Sequence, residues 1–374
     1  MKFFQFSQIG KRSNNEDSIG TSAALLTVCD GMGGHVSGER ASGFVKDVLL
    51  NANVEPQPLG KMEIQQQLNQ VQAELNQILE TEPELEKMGT TFTGIFITPD
   101  VWYAAHIGDS RIYLFRPSEQ KLWHTWDHSL VGELMRTKEI TVEAGRFHPM
   151  SNRISKAIIA QKDGKPANAS IVKIDELKKG DILLLCSDGV IEAWGDWELV
   201  QLFSDESLGF EQKCEKLKQQ CNEKSKDNNT AIIVEIEEED SFGYGNNDEL
   251  EWTTFAEVEA DYNQYVKDNQ EVEEDALKQE DKSMPKMEPA ILQSTRKPLD
   301  MINEQPGVLY GPPVISKKRK MFPILLVVLA VLAVVSFFVL RGGKTKEDSG
   351  KVGASKEKTE QQVPQSNPHK NNSL

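Results

Sequence analysis

The amino-acid sequence predicts an α+β fold, because strand-like apolar runs and runs with helical periodicity alternate along its first 236 residues. The strand-like runs cover residues 24–30, 181–187 and 230–236. Apolar residues recur at three- and four-residue steps in 62–79 and 210–221, which predicts two amphipathic helices. These patterns do not give the order of the strands in a sheet.

Further elements extend this inventory. The runs 91–98 and 101–107 flank Pro99-Asp100 and predict a β-hairpin with a tight turn, and 112–115 predicts the next strand. Ser37 stands where it would cap a third helix. Strands and helices are therefore both plentiful in this part of the chain.

Charge is distributed unevenly over the 374 residues, whose formal net charge is −16. Residues 237–300 carry about −13 and residues 301–374 about +6, which leaves about −9 for residues 1–236. No basic field suits a nucleic-acid backbone, so we expect no nucleic-acid partner. The four cysteines are spaced like buried thiols rather than a disulfide framework, which is typical of a cytoplasmic domain.

Composition divides the chain into four predicted parts. A domain occupies 1–238, and an acidic, proline-containing linker without a sustained core pattern occupies 239–316, which predicts that it is largely disordered. The apolar run 321–340 is long enough to cross a bilayer as one transmembrane helix, and the polar tail 341–374 is predicted to be disordered. Since no secretory signal opens the sequence, we expect a single-pass membrane protein whose large domain lies in the cytoplasm. Basic residues flank both ends of the span, so charge does not decide its orientation.

One stretch of the acidic linker, 248–266, carries aromatic and aliphatic residues at helical spacing. Trp252, Phe255, Val258 and Tyr262 recur at three- and four-residue steps among acidic residues, which predicts an amphipathic helix. Such a helix would either dock a partner protein or pack back on the large domain. The sequence leaves both interpretations open.

Short acidic motifs are the most informative feature of the first 236 residues. They are Arg12-Ser-Asn-Asn-Glu16-Asp17, Cys29-Asp30-Gly31-Met32-Gly33-Gly34, Gly108-Asp109-Ser110-Arg111, Cys186-Ser187-Asp188-Gly189 and Lys226-Asp227-Asn228-Asn229. Three of these motifs directly follow strand-like runs, so their carboxylates can converge in space. Clustered carboxylates repel one another unless cations lie between them, and hard oxygen donors select Mg²⁺ or Mn²⁺. The motifs therefore predict a multi-metal hydrolase.

Together with Gly89-Thr-Thr91 and Asp127-His-Ser129, this ordered set resembles the bacterial form of the metal-dependent protein phosphatase 2C family. The resemblance covers roughly residues 1–237. It implies a four-layer αββα sandwich, in which two antiparallel sheets pack together and helices flank them. It also implies a phosphoserine/phosphothreonine protein phosphatase that uses two Mg²⁺ or Mn²⁺ ions and a third in bacterial members.

The resemblance implies a set of metal ligands. Asp30 would bridge two ions, and the carbonyl oxygen of Gly31 would complete the shell of the second. Asp188 and Asp227 would bind the first ion, and Asp109, paired with Asp188, would bind the third. Few protein ligands per ion are expected, because Mg²⁺ keeps several waters.

Further residues complete the implied site. Glu16 and Asp17 would ligate an ion or hold its waters, and Arg12 would be the catalytic and substrate-binding group that clamps two phosphate oxygens. A metal-bridged hydroxide would attack phosphorus in line, with no phosphoenzyme intermediate. Many relatives outside bacteria carry a general-acid His where this chain has Met32, which cannot donate a proton. We expect a structural hydrogen bond, rather than catalysis, from His35.

The expected partners are phosphoproteins, a cognate Ser/Thr kinase and, through 321–340, a membrane. Residues 130–160 fall where the family carries a mobile flap, and Glu133, Arg136 and Arg153 would either contact the substrate peptide or be solvated surface charges. The alternative function is a catalytically inactive, phosphate-binding scaffold that recruits partners through the acidic linker. The presence of every expected metal carboxylate favours the enzyme. A phosphatase acting on small molecules or arginine phosphate stays open as a third interpretation.

Overall fold

The computed structural model describes residues 1–33, 37–162, 165–238, 240–241 and 249–283. Strands within these ranges are β1 Lys2–Gln8, β2 Asp17–Thr21, β3 Leu25–Met32, β4 Gly89–Thr90, β5 Phe92–Ile97, β6 Trp102–Ile107, β7 Arg111–Arg116, β8 Lys121–His124, β9 Ile158–Ile159, β10 Ser170–Ile174, β11 Glu176–Leu177, β12 Ile182–Cys186, β13 Asn229–Glu235, β14 Asp240–Ser241 and β15 Thr253–Thr254. Helices are α1 Gly38–Ala52, α2 Lys61–Gln77, α3 Leu130–Arg136, α4 Val142–Arg146, α5 Asp188–Ala193, α6 Asp196–Ser204, α7 Phe210–Lys224 and α8 Phe255–Ser283. Short 3₁₀ turns cover Ile78–Glu80, Pro83–Leu85 and Pro117–Glu119.

Two antiparallel sheets form the centre of the described structure. One has the strand order β1-β13-β12-β7-β8-β15, and the other has the order β10-β6-β5-β3-β4-β9 with β2 also paired to β3. The hairpin predicted from 91–98 and 101–107 is β5 and β6, which pair from Phe92 opposite Ile107 to Ile97 opposite Trp102. The α+β prediction with two antiparallel sheets is confirmed.

Alternating side chains on the strands separate three apolar cores. On β12, Leu185 packs between the two sheets, whereas its neighbour Leu184 packs against the helices α5 to α7. On β3, Leu26 faces the other sheet and Leu25 faces α1 and α2. Because successive side chains of a strand point to opposite faces, central strands such as β12 and β3 are buried on both sides, and the layers follow the order α, β, β, α.

The predicted helix over 62–79 is α2, which ends in a 3₁₀ turn. Its apolar stripe buries Ile64, Leu68, Val71 and Leu75 against the second sheet. Each such side chain contributes about 1.5–3 kcal/mol to folding when fully buried. Helix α1 begins after Ser37 as predicted, but the Ser37 side chain makes no capping hydrogen bond and its φ is 34°.

Composition predicts that the acidic segment 239–316 is a largely disordered linker. The structure instead has a helix within residues 249–283 of this segment. Helix α8 begins at Phe255, and the side chains of Phe255 and Val258 are buried in the same core as α5 to α7. The aromatic stripe therefore packs back on the domain, because its apolar residues fall on one helical face despite the acidic composition. The boundaries of the predicted parts stay predictions.

The predicted membrane span 321–340 and the tail 341–374 lie outside the described residues. Within the ranges that the structure describes, no helix combines the length and the apolar character needed to cross a bilayer.

Candidate active site

A cleft of about 420 Å³ brings most of the predicted site residues together. Its walls include Arg12, Glu16, Asp30, Gly31, Asp109, Asp188 and Asp227. Asp17 does not line the cleft but lies directly behind it. The predicted site residues are thus collected from positions more than 200 residues apart in the sequence.

Strand pairing explains why these carboxylates meet. Asp17 on β2 is the register partner of Asp30 on β3. Asp188 begins α5 immediately after β12, and Asp227 precedes β13, the antiparallel neighbour of β12. The carboxylates therefore share one end of the stacked sheets.

Asp17 is the buried anchor of the cluster. Its Oδ2 atom accepts a hydrogen bond of 2.8 Å from the Ser187 hydroxyl. Its Oδ1 atom is buried and has no hydrogen-bond partner among the described residues, although the hydroxyl of Thr230 lies nearby. Burial, opposed by its hydroxyl donors and reinforced by the charge of Asp188, raises the pKa of Asp17 to about 7.

Asp30 and Asp188 both line the cleft, and each affects the ionisation of the other. Burial and the neighbouring charges of Asp17, Asp188 and Asp109 raise the pKa of Asp30 well above its ordinary value. Burial, followed by the charge of Asp227, raises the pKa of Asp188 to about 6. In the absence of a cation, each of these carboxyl groups therefore retains a proton more readily than an exposed aspartate does.

Asp109 stands on the turn between β6 and β7. This turn requires glycine at 108, where φ is +113° and a Cβ would lie 2.6 Å from Cγ2 of Thr91. Burial and the charges of Asp188 and Asp127 raise the pKa of Asp109 well above its ordinary value. The charge of Arg111 opposes this rise, although its guanidinium is hydrogen-bonded to Asp127.

A buried ionic network supports the floor of the site. Arg111 donates to both carboxylate oxygens of Asp127, at 2.6 and 2.8 Å, and its third nitrogen donates to the Tyr113 hydroxyl at 3.0 Å. The Tyr113 hydroxyl in turn donates to Asp196 at 2.9 Å. Bidentate pairing of this kind fixes the guanidinium in one orientation. The network holds β7, which follows the Asp109 turn, against α6.

Gly31 is required by the close approach of three backbone segments. A Cβ at this position would lie 2.4 Å from the carbonyl oxygens of both Glu16 and Gly38. Burial and the charge of Glu39 raise the pKa of Glu16, whose side chain borders the cleft at this point. Glycine at 31 therefore lets β3 pack closely against these two backbone segments at the edge of the cleft.

Arg12 donates a hydrogen bond to the Asp227 carboxylate. The loop that carries Arg12 is held by Asn228, whose Nδ2 donates to the carbonyl oxygens of Ile9 at 2.9 Å and Asn14 at 2.8 Å. The Oδ1 atom of Asn228 accepts from the Glu16 backbone N–H at 2.9 Å. One amide side chain thus fixes the predicted phosphate clamp beside the carboxylates.

Sequence reasoning assigned no role to Asn228, Ser187 or Thr91. Thr91 accepts from the Asp30 backbone N–H at 3.0 Å and bonds the Ser110 hydroxyl at 2.8 Å, so it links β3, which carries Asp30, to the turn that carries Asp109. Each of these polar residues adjoins a motif carboxylate in the sequence or across a strand pair. That adjacency is the signal from which a supporting role could have been inferred.

The flap predicted at 130–160 borders the cleft through Asn152 and Ile154. Glu133 and Arg136 form an exposed ion pair with each other, at 2.6 Å. Met32 lines the cleft, whereas His35 lies outside the described residues.

The donor set fits hard divalent cations. All of the ionisable groups except Arg12 are carboxylates, burial raises the pKa values of several, and Asp17 retains an unpartnered oxygen. Among the described residues, no group of three or more His, Cys, Asp or Glu side chains converges tightly enough to hold an ion alone. Mg²⁺ commonly keeps several waters, so sparse protein ligation is consistent with this cation.

An oxygen-only, carboxylate-rich cleft at the end of two stacked sheets is typical of metal-dependent hydrolases. The sequence model described as Protein phosphatase 2C matches residues 5–231. The chain therefore belongs to the protein phosphatase 2C family, a family of metal-dependent protein-serine/threonine phosphatases. Residues 5–231 contain every predicted site residue.

Curated relatives include bacterial serine/threonine phosphatases. The chain is 34% identical over 192 residues to PstP of Mycobacterium tuberculosis, a match that covers 51% of this chain and 36% of that protein. It is 31% identical over 238 residues to Stp of Listeria innocua, covering 60% of this chain and 91% of that protein. The chain thus spans about a third of the mycobacterial relative but nearly all of the Listeria protein.

Solved structures with the same fold include Stp1 from Staphylococcus aureus, with 30% identity and a TM-score of 0.54 over 63% of this chain and 95% of that one. PstP from Mycobacterium tuberculosis gives 30% identity and a TM-score of 0.54 over 63% and 98% of the respective chains. A structure of the PstP catalytic domain is described as a complex with two manganese ions, and it gives 29% identity and a TM-score of 0.53.

Proposed function

We propose that this protein is a membrane-tethered phosphatase of phosphoserine and phosphothreonine in proteins. The observation that carries the proposal is the convergence of Asp30, Asp109, Asp188 and Asp227 in one cleft beside Arg12. Retention of these carboxylates favours an active enzyme over the phosphate-binding scaffold. A scaffold needs no cluster of carboxyl groups whose pKa values are raised by burial and by mutual repulsion.

Asp30, the Gly31 carbonyl, Asp188 and Asp227 are the residues that would hold two Mg²⁺ or Mn²⁺ ions, and Asp109 would hold a third. The PstP catalytic domain described in complex with two manganese ions supports the choice of divalent cation. When bound, such cations acidify water and offset charge on a transferring phosphoryl group. Asp17 does not line the cleft and would support the metal site indirectly. It accepts a hydrogen bond from Ser187, which fixes the start of the helix that carries Asp188.

Arg12 would bind the phosphoryl group of the substrate. Its guanidinium presents parallel N–H donors that match two phosphate oxygens, and it already points at the carboxylate side of the cleft through Asp227. Asn228 limits the motion of the Arg12 loop. Substrate binding would exchange one oxyanion partner of Arg12 for another.

The cleft opens into a neighbouring cavity of about 590 Å³, which supports a protein substrate rather than a small molecule. This cavity shares Arg12, Asp188 and Asp227 with the cleft and extends to Lys224 and Phe147. A phosphorylated residue would occupy the cleft while its flanking peptide lies in the wider cavity. The cation of Lys224 and the exposed ring of Phe147 would contact that peptide.

Membrane tethering is proposed from the apolar span 321–340 alone. An anchor confines the search for substrate to the membrane surface and raises the effective concentration of membrane-bound partners. A Ser/Thr kinase that phosphorylates the same proteins is the expected opposing enzyme. The catalytic domain would face the cytoplasm.

The proposal is tested with purified full-length protein, p-nitrophenyl phosphate and a phosphothreonine-containing protein. We expect hydrolysis of both substrates that requires Mg²⁺ or Mn²⁺ and is lost on chelation. Asp188→Asn is the matched control, because it keeps the side-chain volume and removes the charge. Phosphoprotein binding without any hydrolysis at saturating metal would instead favour the scaffold.

A further inference from the structure

Helix α8 lies outside the part of the chain that matches the family, residues 5–231, yet it packs on the flap. It contacts both α4 of the flap and α6 of the domain. Phe255 and Val258 anchor its first turns in the domain core, each with 9% of its surface exposed. These two buried side chains hold the first turns of α8 on the domain, and the next turn lies against the flap.

Two side chains of α8 hold the flap directly. Asp261 accepts a 2.9 Å hydrogen bond from the backbone N–H of Val142, the first residue of α4. One turn further on, the Tyr265 ring stacks on Phe147 with a centroid distance of 5.9 Å and an interplanar angle of 22°. These contacts hold α4 at its first residue and immediately after its last residue.

The flap is in turn bonded to the helix that begins with Asp188. Arg146, at the end of α4, donates to the carbonyl oxygens of Ile191 at 3.1 Å and Glu192 at 3.2 Å. Its orientation is set by Glu143, which accepts at 2.6 and 3.2 Å. Both acceptors of Arg146 are backbone carbonyl oxygens of α5. A displacement of α4 would therefore disturb these hydrogen bonds to α5.

The connection continues to Asp227. The Glu192 carboxylate accepts from the backbone N–H groups of Lys226 at 2.7 Å and Asp227 at 3.3 Å. Hydrogen bonds and ring contacts therefore form a continuous chain from α8, through α4 and α5, to the loop that pairs with Arg12. Phe147 and Arg146, which stand in the middle of this chain, also line the wide cavity beside the cleft.

We propose that Asp261 and Tyr265 are positioning residues that fix the flap for protein substrates. This inference rests on the proposed phosphatase function and deepens it. With the flap held, the cavity wall formed by Arg146 and Phe147 is already in place when a phosphoprotein arrives. A substrate as small as p-nitrophenyl phosphate needs only the cleft and does not use this wall.

The test compares Asp261→Ala, Asp261→Asn and Glu259→Ala in the full-length protein. Asparagine retains an oxygen that can accept from Val142, and Glu259 is an exposed acidic residue of the same helix that serves as the control. We expect Asp261→Ala to raise KM for a phosphoprotein about three- to tenfold, as the loss of one charge-assisted hydrogen bond implies. The kcat and KM for p-nitrophenyl phosphate should stay within about twofold of wild type. Asp261→Asn and Glu259→Ala should behave like wild type.

Equal loss of activity on both substrates, or no change in KM for the phosphoprotein, would overturn the inference. Asp261→Asn that behaves like Asp261→Ala would contradict the hydrogen-bond assignment. Backbone hydrogen exchange provides a readout without catalysis: the amide of Val142 should exchange faster in Asp261→Ala than in Glu259→Ala. If the wild-type protein hydrolyses nothing, the proposed function fails, whereas unchanged exchange would sink the positioning role alone.

Discussion

The guanidinium of Arg12 donates a hydrogen bond to the carboxylate of Asp227, so the predicted phosphate clamp pairs with a predicted metal ligand. Hydrogen bonding and the charge of Asp227 raise the pKa of Arg12. A cation bound by Asp227 would neutralise part of the carboxylate charge that attracts Arg12. Metal binding and release of Arg12 for phosphate are therefore expected to be coupled.

Replacement of Arg12 by alanine should lower kcat/KM while leaving metal binding intact or tighter. Loss of a charge-assisted bond to phosphate predicts a decrease of about 10- to 100-fold. Arg12→Lys should recover part of this loss, because lysine keeps the charge without the planar fork. Activity measured at increasing Mg²⁺ concentrations gives both kcat/KM and the apparent Mg²⁺ affinity of each variant. A weaker apparent Mg²⁺ affinity in Arg12→Ala would contradict the competition between Arg12 and metal for Asp227.

Asp30→Asn and Asp188→Asn should each reduce activity by at least about 100-fold, since each removes a proposed ligand. The same variants should be as stable as wild type, or more stable, when metal is absent. The reason is that repulsion and burial raise the pKa values of both carboxyl groups in the folded state. Urea denaturation in EDTA checks the stability, and unfolding of either variant at lower urea than wild type would contradict the electrostatic account.

Asp17 gives the metal-free protein a defined pH dependence. Its folded-state pKa is raised to about 7, whereas the unfolded value is about 4. The folded state therefore binds more protons between about pH 4 and 7, and the free energy of unfolding contributed by this group falls as pH rises through that window. We expect the wild type to lose stability relative to Asp17→Asn from pH 4.5 to 7.5 in EDTA. A constant difference between the two would show that the carboxyl group is not perturbed.

Met32 stands at the cleft wall and has no proton to donate. Phosphoesters with an alkoxide leaving group should therefore be hydrolysed slowly relative to aryl phosphates, whose leaving group needs no proton. Met32→His should narrow the ratio of the two kcat/KM values by about tenfold or more, since general acid catalysis typically contributes 10²–10⁴-fold. Met32→Leu is the control for a change in the apolar wall. An unchanged ratio in Met32→His would argue that no proton donor is missing.

The sequence was most informative about the carboxylates of the site, because several of them follow strand-like runs. Asp30 and Asp188 could be assigned to one site because each follows an apolar run, and the strand ends do meet. The pairing of Asp17 with Ser187 could not be predicted, because β2 and the end of β12 belong to different sheets and meet only where those sheets stack. The stacking of two sheets joins residues that are distant in the sequence, and a local pattern of apolar residues does not specify which of them meet.

Helix α8 illustrates the opposite limit. Composition predicted that 239–316 is largely disordered, whereas the spacing of aromatic residues predicted a helix within 248–266 that would either pack on the domain or dock a partner. Burial of Phe255 and Val258 places the first turns of α8 on the domain. A few apolar residues at helical spacing outweigh the average composition when a complementary groove exists. That groove is made by α4 and α6, which the sequence alone could not place beside the segment.

Two truncations separate the roles of the regions that follow the catalytic domain. A protein that ends at residue 300 keeps α8 and lacks the predicted span, so it should leave the membrane fraction and retain full activity. A protein that ends at residue 248 also loses Phe255 and Val258, whose burial contributes about 1.5–3 kcal/mol each. It should unfold at lower urea and show a higher KM for a phosphoprotein. Fractionation, urea denaturation and steady-state kinetics distinguish the two, and membrane retention of the protein ending at 300 would place the anchor elsewhere.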